Sequence, residues 1–477
     1  MLNDLYRSSF PGKTRGIGAP SKAILKGSVD RDILLLDTIS EEGPKLIQAS
    51  DETVNYINSD KTPLRAIQVV HYHLPEPLME SFHESAPSEL ASRQINIFVK
   101  EAGSNKPIPG IRVVALTDVN RPEGEIGFSD SKGRLSLIIK DKPLASIQVS
   151  PSPGYWGSSR TGLGLEENIT VLLEPISLEQ KDVIRTIYGQ SSFDPSTRVK
   201  VAVIDSGVGP HDHLNVIHGA NMVTEEKGND FRDFMGHGTH VAGLIGANSR
   251  PPEGLRGMAP NVGILAYRVF GKKSSVATNY AILKSIIDAN YQACDIINLS
   301  LGGAQEDEIV AEAIKDAKNK GMIIVAAAGN DHRNSVSYPA AYPEALAVSA
   351  MGIEDTFPHN SLAKTYINRP PQSKKNKKAF MASFSNVGMG INMVGLGVGT
   401  VSTLPNQQYG PLSGTSMAAP MVSGAIACLL SKEKTIFNMP RNSSRADAIE
   451  KLILSNCVKF GFGMEYEGYG LPDPDLI

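Results

Sequence analysis

An aspartate, a histidine and a serine lie in three separate glycine-containing segments of the sequence. Asp205 ends the apolar run VAVID, His237 lies in GHGTHVAG, and Ser416 lies in GTSMAAP. A serine hydroxyl is a weak nucleophile at neutral pH, so it needs a base that removes its proton, and histidine is well suited to that task. A buried carboxylate can orient the imidazole and stabilise its charged form. The three side chains could therefore carry out nucleophilic catalysis together.

Each of these residues also has a structural explanation when taken alone. An aspartate at the end of a strand is commonly a turn or cap residue, and Ser416 could be an N-cap, a position that serine favours. His237 and His240 are three residues apart, so they could share a metal ion, or one could be a base while the other packs. The single motifs leave these alternatives open.

The elements that must position these residues alternate between apolar runs and helical patterns from Val199 onward. The apolar runs are VKVAVID, VGILAYRVF, CDIINLSLGG, MIIVAAAGN and ALAVSAMG, and NYAILKSIIDANYQA and EIVAEAIKDAKNKG have helical spacing. This alternation favours the α/β class, with a parallel sheet covered by helices on both faces. Functional residues gather at the carboxyl ends of such strands. Asp205, Gly302 and Asn330 all follow or end apolar runs.

The order Asp205, His237, Ser416, with these flanking residues, resembles the subtilisin-like serine proteases, or subtilases, over residues 178–477. The resemblance implies a subtilisin-like doubly wound parallel sheet and a serine endopeptidase. It assigns His237 as general base, Asp205 as the group that orients it, and Ser416 as nucleophile. Asn330, in AAAGND, would donate to the oxyanion together with the backbone N–H of Ser416. His240 would then pack in the helix that follows His237.

The same resemblance implies the walls of a substrate cleft. Ser300, Leu301, Gly302 and Gly303 match the family's segment that pairs with the substrate backbone and forms one wall of the S1 pocket. Ala327, Ala328 and Gly329 would form the opposite wall. Ser337 stands at the base of the pocket, where several members have the smaller glycine. We therefore expect a somewhat shorter pocket, without a clear preference for basic side chains.

The N-terminal part of the chain has a different character. We expect a flexible arm over 1–30, a small α/β module with a linker over 31–92, a β-sandwich over 93–175, and the peptidase domain over 176–477. Ile95, Ile97 and Val99 alternate with polar residues, as half-buried strands do. This region resembles the carboxypeptidase regulatory-like or transthyretin-like β-sandwiches. A propeptide-like role for 31–78 is weakened because the β-sandwich separates it from the peptidase domain.

Composition excludes several other classes of function. The formal charge of −3 over 477 residues does not favour binding to nucleic acid or to an anionic membrane. No apolar run approaches the roughly 20 residues of a membrane span, and the N-terminus has no secretory pattern. Three cysteines are too few and scattered for a disulfide framework. We expect a cytoplasmic protein that acts on a protein or peptide substrate.

No cofactor is predicted. Subtilases often bind structural calcium through loop carboxylates and carbonyls, and Asp230 and Asp233 in GNDFRD are the candidate ligands here. His211 and His213 invite a zinc interpretation, but the sequence offers no third ligand at a suitable spacing. Structural calcium therefore stays possible, but the sequence does not identify its site.

Some 30 residues separate ALAVSAMG from ASFSNVG, where the family has a short connection. This insertion carries Lys374, Lys375, Lys377 and Lys378 and is expected to be a solvated loop, with docking of an acidic partner as the alternative. Two functional alternatives also stay open: a subtilase-like binding or regulatory protein with restricted proteolysis, and a metal-dependent hydrolase that uses His240. We further expect residues 1–175 to restrain or direct the enzyme.

Overall fold

The computed structural model of the chain describes residues 33–41, 43–59, 64–74, 83–84, 92–118, 123–180, 182–189 and 198–473. The predicted flexible arm and most of the predicted linker lie outside these residues. In the described part of the chain, no helix is long and apolar enough to cross a membrane.

The first described unit, here called the N-terminal module, comprises the described residues between 33 and 74. Strands β1 (Ile33–Thr38) and β2 (Lys45–Ala49) pair antiparallel and are followed by helix α1 (Asp51–Ile57) and strand β3 (His71–His73). The Ser50 side chain caps α1 by accepting a hydrogen bond from Thr53 N, as an N-cap serine does. The predicted α/β character of this region is present.

Two packed sheets follow. Their strands are β4 (His83–Glu84), β5 (Ser92–Glu101), β6 (Arg112–Asp118), β7 (Glu123–Phe128), β8 (Arg134–Lys140), β9 (Leu144–Val149), β10 (Ser158–Gly164) and β11 (Asn168–Leu173). One sheet has the order β10-β9-β6-β7-β4 and the other β11-β5-β8. Ile95, Ile97 and Val99 are fully buried in the core that these strands enclose. The architecture is a β-sandwich, and its likeness to a named family stays a prediction.

The C-terminal half is built on a nine-stranded sheet. Its members are β12 (Lys200–Asp205), β13 (Val216–Asn221), β14 (Gly263–Arg268), β16 (Ile296–Leu299), β17 (Ile323–Ala327), β18 (Ala345–Ile353), β19 (Ile367–Gln372), β20 (Ala379–Ala382) and β21 (Met393–Leu396). The order is β13-β14-β12-β16-β17-β18-β20-β19, and β21 also pairs with β18. All pairs are parallel except β18–β20 and β19–β20. The predicted parallel sheet is confirmed.

Helices cover both faces of this sheet. They are α2 (Val183–Tyr188), α3 (His237–Gly246), α4 (Asn279–Tyr291), α5 (Glu308–Asn319), α6 (Thr415–Lys432), α7 (Lys434–Phe437), α8 (Ser443–Ser455) and α9 (Met464–Glu467). Along β12, Val201 and Val203 face the core formed with α3, α6 and α8, whereas Ala202 and Ile204 face the core formed with α4 and α5. Since successive side chains of a strand point to opposite faces, both faces are apolar and the sheet is doubly wound.

The remaining strands are short. They are β15 (Val276–Thr278), the hairpin of β22 (Thr400–Leu404) and β23 (Gln408–Leu412), and the pair β24 (Cys457–Val458) and β25 (Leu471–Pro472). The β-sandwich packs against the hairpin: Trp156 joins Leu255 and Val401 in one apolar cluster, and Gly154 N donates to Tyr409 O at 2.8 Å.

The prediction of a solvated loop for the lysine-rich insertion is wrong in part. The insertion includes a 3-10 helix (Leu362–Tyr366) and contributes β19 and β20, which extend the main sheet beyond β18. The lysines themselves lie between the two strands and are exposed. Only this tip keeps the predicted character, and its docking to a partner stays a prediction.

The N-terminal module lies directly against the C-terminal domain although the β-sandwich separates the two in sequence. Lys284 of α4 pairs with Asp37 at 2.6 Å, and Glu308 of α5 pairs with Arg65. Strand β3 pairs antiparallel with β15. The separation in sequence therefore does not weaken a propeptide-like role for this region.

Candidate active site

Asp205 and His237 meet where strand β12 ends and helix α3 begins. His237 Nδ1 and Asp205 Oδ1 are 2.8 Å apart, and the same oxygen accepts from Ser206 N at 2.7 Å. Asp205 is fully buried. A Cβ at Gly238 would lie 2.1 Å from Gly207 O, so α3 can approach the end of β12 this closely only with glycine at that position. The imidazole is thus held by a desolvated carboxylate.

Asp233 holds the start of α3, a role that the sequence did not reveal. The N-cap residue Gly236 has no side chain that could cap the helix. Asp233 caps it instead by accepting hydrogen bonds from Gly236 N (2.8 Å), Thr239 N (2.8 Å) and Thr239 Oγ1 (2.6 Å). It also accepts from Ser206 Oγ at 2.9 Å, and that hydroxyl accepts in turn from Gly238 N. An aspartate three residues before a glycine N-cap is the signal that would have found it.

The calcium site proposed for Asp230 and Asp233 is not supported. Asp233 Oδ1 accepts from the backbone N–H groups just before α3 and Oδ2 accepts from Thr239. Asp230 pairs with Arg232 and Lys272 at 2.8 and 3.1 Å. The Arg232 side chain holds the pKa of Asp230 well below its usual range. Across the described residues, no group of three or more His, Cys, Asp or Glu could hold a metal ion.

His211 and His213, the residues of the zinc interpretation, contact each other and Tyr409. His213 Nδ1 lies 2.6 Å from Tyr409 Oη, and His211 Nδ1 accepts from His213 N at 3.2 Å. Burial, reinforced by the neighbouring His213, lowers the pKa of His211 to about 4. These rings pack with Tyr409 on the hairpin that the β-sandwich contacts.

His240 has no part in a metal pair with His237. It is fully buried in α3, and its Nε2 lies 3.0 Å from both Thr400 O and Gly410 O, to which an Nε2–H can donate. Burial, followed by the charge of His237, lowers the pKa of His240 to about 3. A neutral His240 therefore connects α3 to the hairpin β22–β23.

Ser416 lies in the first turn of α6, with Asn330 beside it. Ser416 Oγ donates to Ser300 O at 3.2 Å. The Asn330 amide oxygen accepts from Thr415 N (3.0 Å) and Thr415 Oγ1 (2.9 Å). A Cβ at Gly414 would lie 3.4 Å from Asn330 Nδ2. The amide is thus oriented so that its NH₂ group lies toward the loop that carries Ser416.

The residues of the predicted cleft come together around Ser416. Ser300 Oγ donates to Ser416 O at 2.8 Å, and Ser337 N donates to Ala328 O at 2.9 Å. A Cβ at Gly302 would lie 3.7 Å from Ser337 Cβ, and one at Gly329 would lie 2.1 Å from Ser337 Oγ. Leu301, Ala327 and Ala328 are buried behind this surface, and Gly303 pairs with Tyr338. The two predicted walls and the base are adjacent.

Comparisons with known proteins agree with this geometry. Residues 196–470 match the model of the Subtilase family. The chain belongs to the subtilase family. Over 265 residues it is 36% identical to the major intracellular serine protease of Bacillus subtilis (strain 168), an alignment that covers 54% of this chain and 75% of the relative. Over 243 residues it is 38% identical to subtilisin DY of Bacillus licheniformis, covering 50% and 78%. The protein is a serine endopeptidase.

A segment of the subtilase's own N-terminal module lies in its cleft. His73 N donates to Gly302 O at 2.8 Å, and Gly302 N donates to His73 O at 3.0 Å. On the other side, β3 pairs with β15. The backbone of β3 therefore lies between Gly302 and β15 and forms hydrogen bonds with both. Neither β3 nor β15 was predicted as part of the site, because three-residue strands carry almost no periodicity.

Proposed function

We propose that this subtilase hydrolyses peptide bonds through an acyl-enzyme on Ser416. His237 removes the Ser416 proton as Oγ attacks the substrate carbonyl, and Asn330 Nδ2 and the Ser416 N–H donate to the oxyanion that forms. His237 then protonates the leaving amine, and water repeats the sequence to release the acid. The observation that carries this assignment is the 2.8 Å contact of His237 Nδ1 with the buried Asp205, beside a loop that brings together Ser416 and Asn330.

The surroundings of His237 support its role as a base. Asp205 accepts from Nδ1, which leaves Nε2 as the basic nitrogen and stabilises the imidazolium during attack. His237 is the first residue of the ten-residue helix α3, and the positive end of the helix dipole opposes protonation in the resting enzyme. Asp205 thus orients the base and stabilises the charge that His237 acquires during attack.

The substrate is a protein or peptide, and we propose that it binds as an extended strand. Gly302 and β15 already pair with β3 in this way, so a substrate strand could use the same backbone groups. Main-chain pairing of this kind supplies affinity with little dependence on sequence, whereas side-chain pockets supply specificity. Ser337 at the base of the S1 pocket favours a shorter P1 side chain than glycine would.

We also propose that the N-terminal module restrains the enzyme. Strand β3 pairs with the backbone groups that a substrate strand needs, and Asp37 and Arg65 anchor the module on α4 and α5. Restraint by its own chain is consistent with a cytoplasmic location, which the name of the intracellular Bacillus relative supports. The alternative of a binding protein without hydrolysis is not favoured, because all four catalytic positions are occupied by the required residues.

Active-site labelling tests the catalytic assignment. A fluorophosphonate probe should modify Ser416 in the full chain, detected as an adduct on the peptide that contains it after digestion and mass spectrometry. The Tyr72→Ala variant should be labelled faster, because Tyr72 anchors β3 in the cleft. Ser423→Ala, a change of a buried serine in the same helix, should be labelled as the wild type is. Resistance of both the wild type and Tyr72→Ala would contradict the proposal.

Release of the N-terminal module tests the restraint. Tyr72 is fully buried, and truncation of such an aromatic side chain to alanine typically costs about 3–5 kcal/mol. A loss of about 3 kcal/mol from the closed form lowers the equilibrium constant for closing more than 100-fold. Tyr72→Ala should therefore raise the initial rate of peptide hydrolysis by the full chain about 100-fold where the closed form limits the rate.

His71→Ala is the matched control, since His71 lies on the same strand and is exposed. Its rate should stay near that of the wild type. Equal rates for the wild type and Tyr72→Ala, with both proteins folded by circular dichroism, would show that β3 does not restrain the enzyme.

A further inference from the structure

Tyr72 occupies a closed pocket beside the cleft. Its side chain is fully buried, whereas His71 and His73 on either side are exposed. The ring lies in the apolar core that includes Leu301 of the cleft wall and Ala277 of β15. At the end of the ring, the phenol donates to Asp307 Oδ2 at 3.2 Å. The pocket therefore holds a whole aromatic side chain and offers a carboxylate to its hydroxyl.

The position of this pocket relative to the cleaved bond follows from the strand register. His73 is opposite Gly302 in an antiparallel bridge. In an antiparallel pair, moving two residues back from Gly302 to Ser300 moves two residues forward from His73. In a substrate strand with this register, the residue opposite Ser300 is therefore three positions after the residue in the Tyr72 pocket. Ser300 O lies 3.2 Å from Ser416 Oγ, so the residue opposite Ser300 is the one whose carbonyl is attacked. The residue whose carbonyl is attacked is P1, so the pocket receives the P4 side chain.

We propose that Asp307 makes this pocket a tyrosine-reading subsite, so that the enzyme prefers substrates with tyrosine over phenylalanine at P4. The inference rests on the proposed function, since it assumes that substrates bind in the strand register of β3. It adds a specificity-determining residue outside the catalytic group. Tyr72 then acts as an internal copy of the preferred substrate side chain and competes with it for the same pocket.

The carboxylate of Asp307 is held in place before any side chain enters. Asp307 is the N-cap of α5, and its Oδ1 accepts from Ile309 N at 3.0 Å and Val310 N at 3.4 Å. Its backbone is fixed by Tyr342, whose hydroxyl accepts from Asp307 N and donates to Asp307 O at 2.7 and 2.8 Å. A hydrogen bond with the Asn279 side chain also holds this carboxyl group, so contacts other than those of the occupant orient Oδ2.

Discrimination between tyrosine and phenylalanine follows from the burial of this acceptor. Asp307 is only 2% exposed, so water cannot readily replace a missing phenol donor. A site built to bind a hydroxyl rejects the analogue that lacks it, because its buried polar group then loses a partner. Burial also raises the pKa of Tyr72, which keeps the phenol protonated and able to donate. The bond thus favours tyrosine in the bound strand.

The test uses the full chain carrying Tyr72→Ala, whose own tyrosine no longer fills the pocket. Its kcat/KM is measured on the p-nitroanilides of acetyl-Tyr-Ala-Ala-Leu and acetyl-Phe-Ala-Ala-Leu, with acetyl-Ala-Tyr-Ala-Leu as a control that moves the phenol to P3. We expect the P4 tyrosine peptide to be cleaved at least about tenfold better than the phenylalanine peptide, in keeping with the loss of one partner of a buried acceptor.

A second variant separates recognition from folding. Asp307→Ser, added to Tyr72→Ala, keeps an N-cap side chain for α5 but is too short to reach the phenol, so the ratio of the two kcat/KM values should fall to about one. Asp182→Ser is the matched control, because Asp182 is also a buried N-cap aspartate, of α2. It should leave the ratio unchanged, even where it lowers stability.

The outcomes distinguish the inference from the proposed function. Equal cleavage of the tyrosine and phenylalanine peptides, or an unchanged ratio in Asp307→Ser, would overturn the subsite while leaving the protease intact. Cleavage of neither peptide by a protein whose Ser416 still reacts with a fluorophosphonate would overturn it as well. Failure of both cleavage and labelling would instead contradict the proposed function.

Discussion

Replacing Ser416 by alanine is expected to lower kcat for peptide hydrolysis by roughly a millionfold while the protein stays folded, a loss of the order that subtilisin shows without its nucleophile. The change removes the acyl-enzyme route altogether, and the remaining rate comes from the oxyanion donors and substrate binding. Ser416 is 1% exposed and its Oγ bonds to Ser300 O. Alanine fits the same space and favours the helix, so the fold should tolerate the change.

The measurement compares steady-state kinetics of Ser416→Ala and of Ser423→Ala with those of the wild type. Ser423 Oγ donates to Asn298 Oδ1 at 2.8 Å, so its loss should reduce the free energy of unfolding by about 1–3 kcal/mol without a comparable loss of rate. Mass spectrometry of the purified proteins would also reveal any self-cleavage that depends on Ser416. A Ser416→Ala enzyme with a rate close to that of the wild type would rule out the assigned nucleophile.

The architecture of the peptidase domain could be predicted from local patterns. Strands such as β12 and β17 are continuous apolar runs, as expected of strands buried on both faces, and they are separated by helices with recognisable spacing. Asp205 and Asn330 could be placed at carboxyl ends because each directly follows or ends such a run. The position of these residues therefore follows from one strand each, without any long-range information.

The contacts that close the cleft could not be predicted in the same way. The pairing of His73 with Gly302 joins residues that are far apart in the sequence, and the bond of Tyr72 to Asp307 depends on that pairing. Strands β3 and β15 have three residues each, too few for a period-2 pattern to be recognised. An intervening β-sandwich further hides the relation, because proximity in sequence and proximity in space then disagree.

The β-sandwich also connects to the catalytic helix through one hairpin. Gly154 N bonds to Tyr409 O on β23, and the next residue of that strand, Gly410, offers its carbonyl to His240 of α3. The hairpin therefore lies between the sandwich and the helix that begins with His237. His240 therefore attaches α3 to the hairpin, whereas His237 is the proposed base.

The two histidines are expected to respond to alanine substitution in different ways. His237→Ala should lose about as much kcat as Ser416→Ala, since the base and the nucleophile act as a unit, while its free energy of unfolding changes little because the ring is partly exposed at the helix start. His240→Ala should lower the free energy of unfolding by about 3 kcal/mol, because it leaves a buried cavity and deprives two carbonyl oxygens of their donor. Those oxygens belong to Thr400 and Gly410.

Urea unfolding and steady-state kinetics on the same preparations separate these effects. His240→Ala should keep most of its activity at low temperature, where it remains folded, and lose it with the fold on warming. A shared metal ion would instead make the variants behave alike, with activity sensitive to chelators in the wild type. Since the His240 Nε2 lies against two carbonyl oxygens and its pKa is about 3, it is a neutral donor to the hairpin. An inactive but fully stable His240→Ala protein would therefore refute the division of roles between base and support.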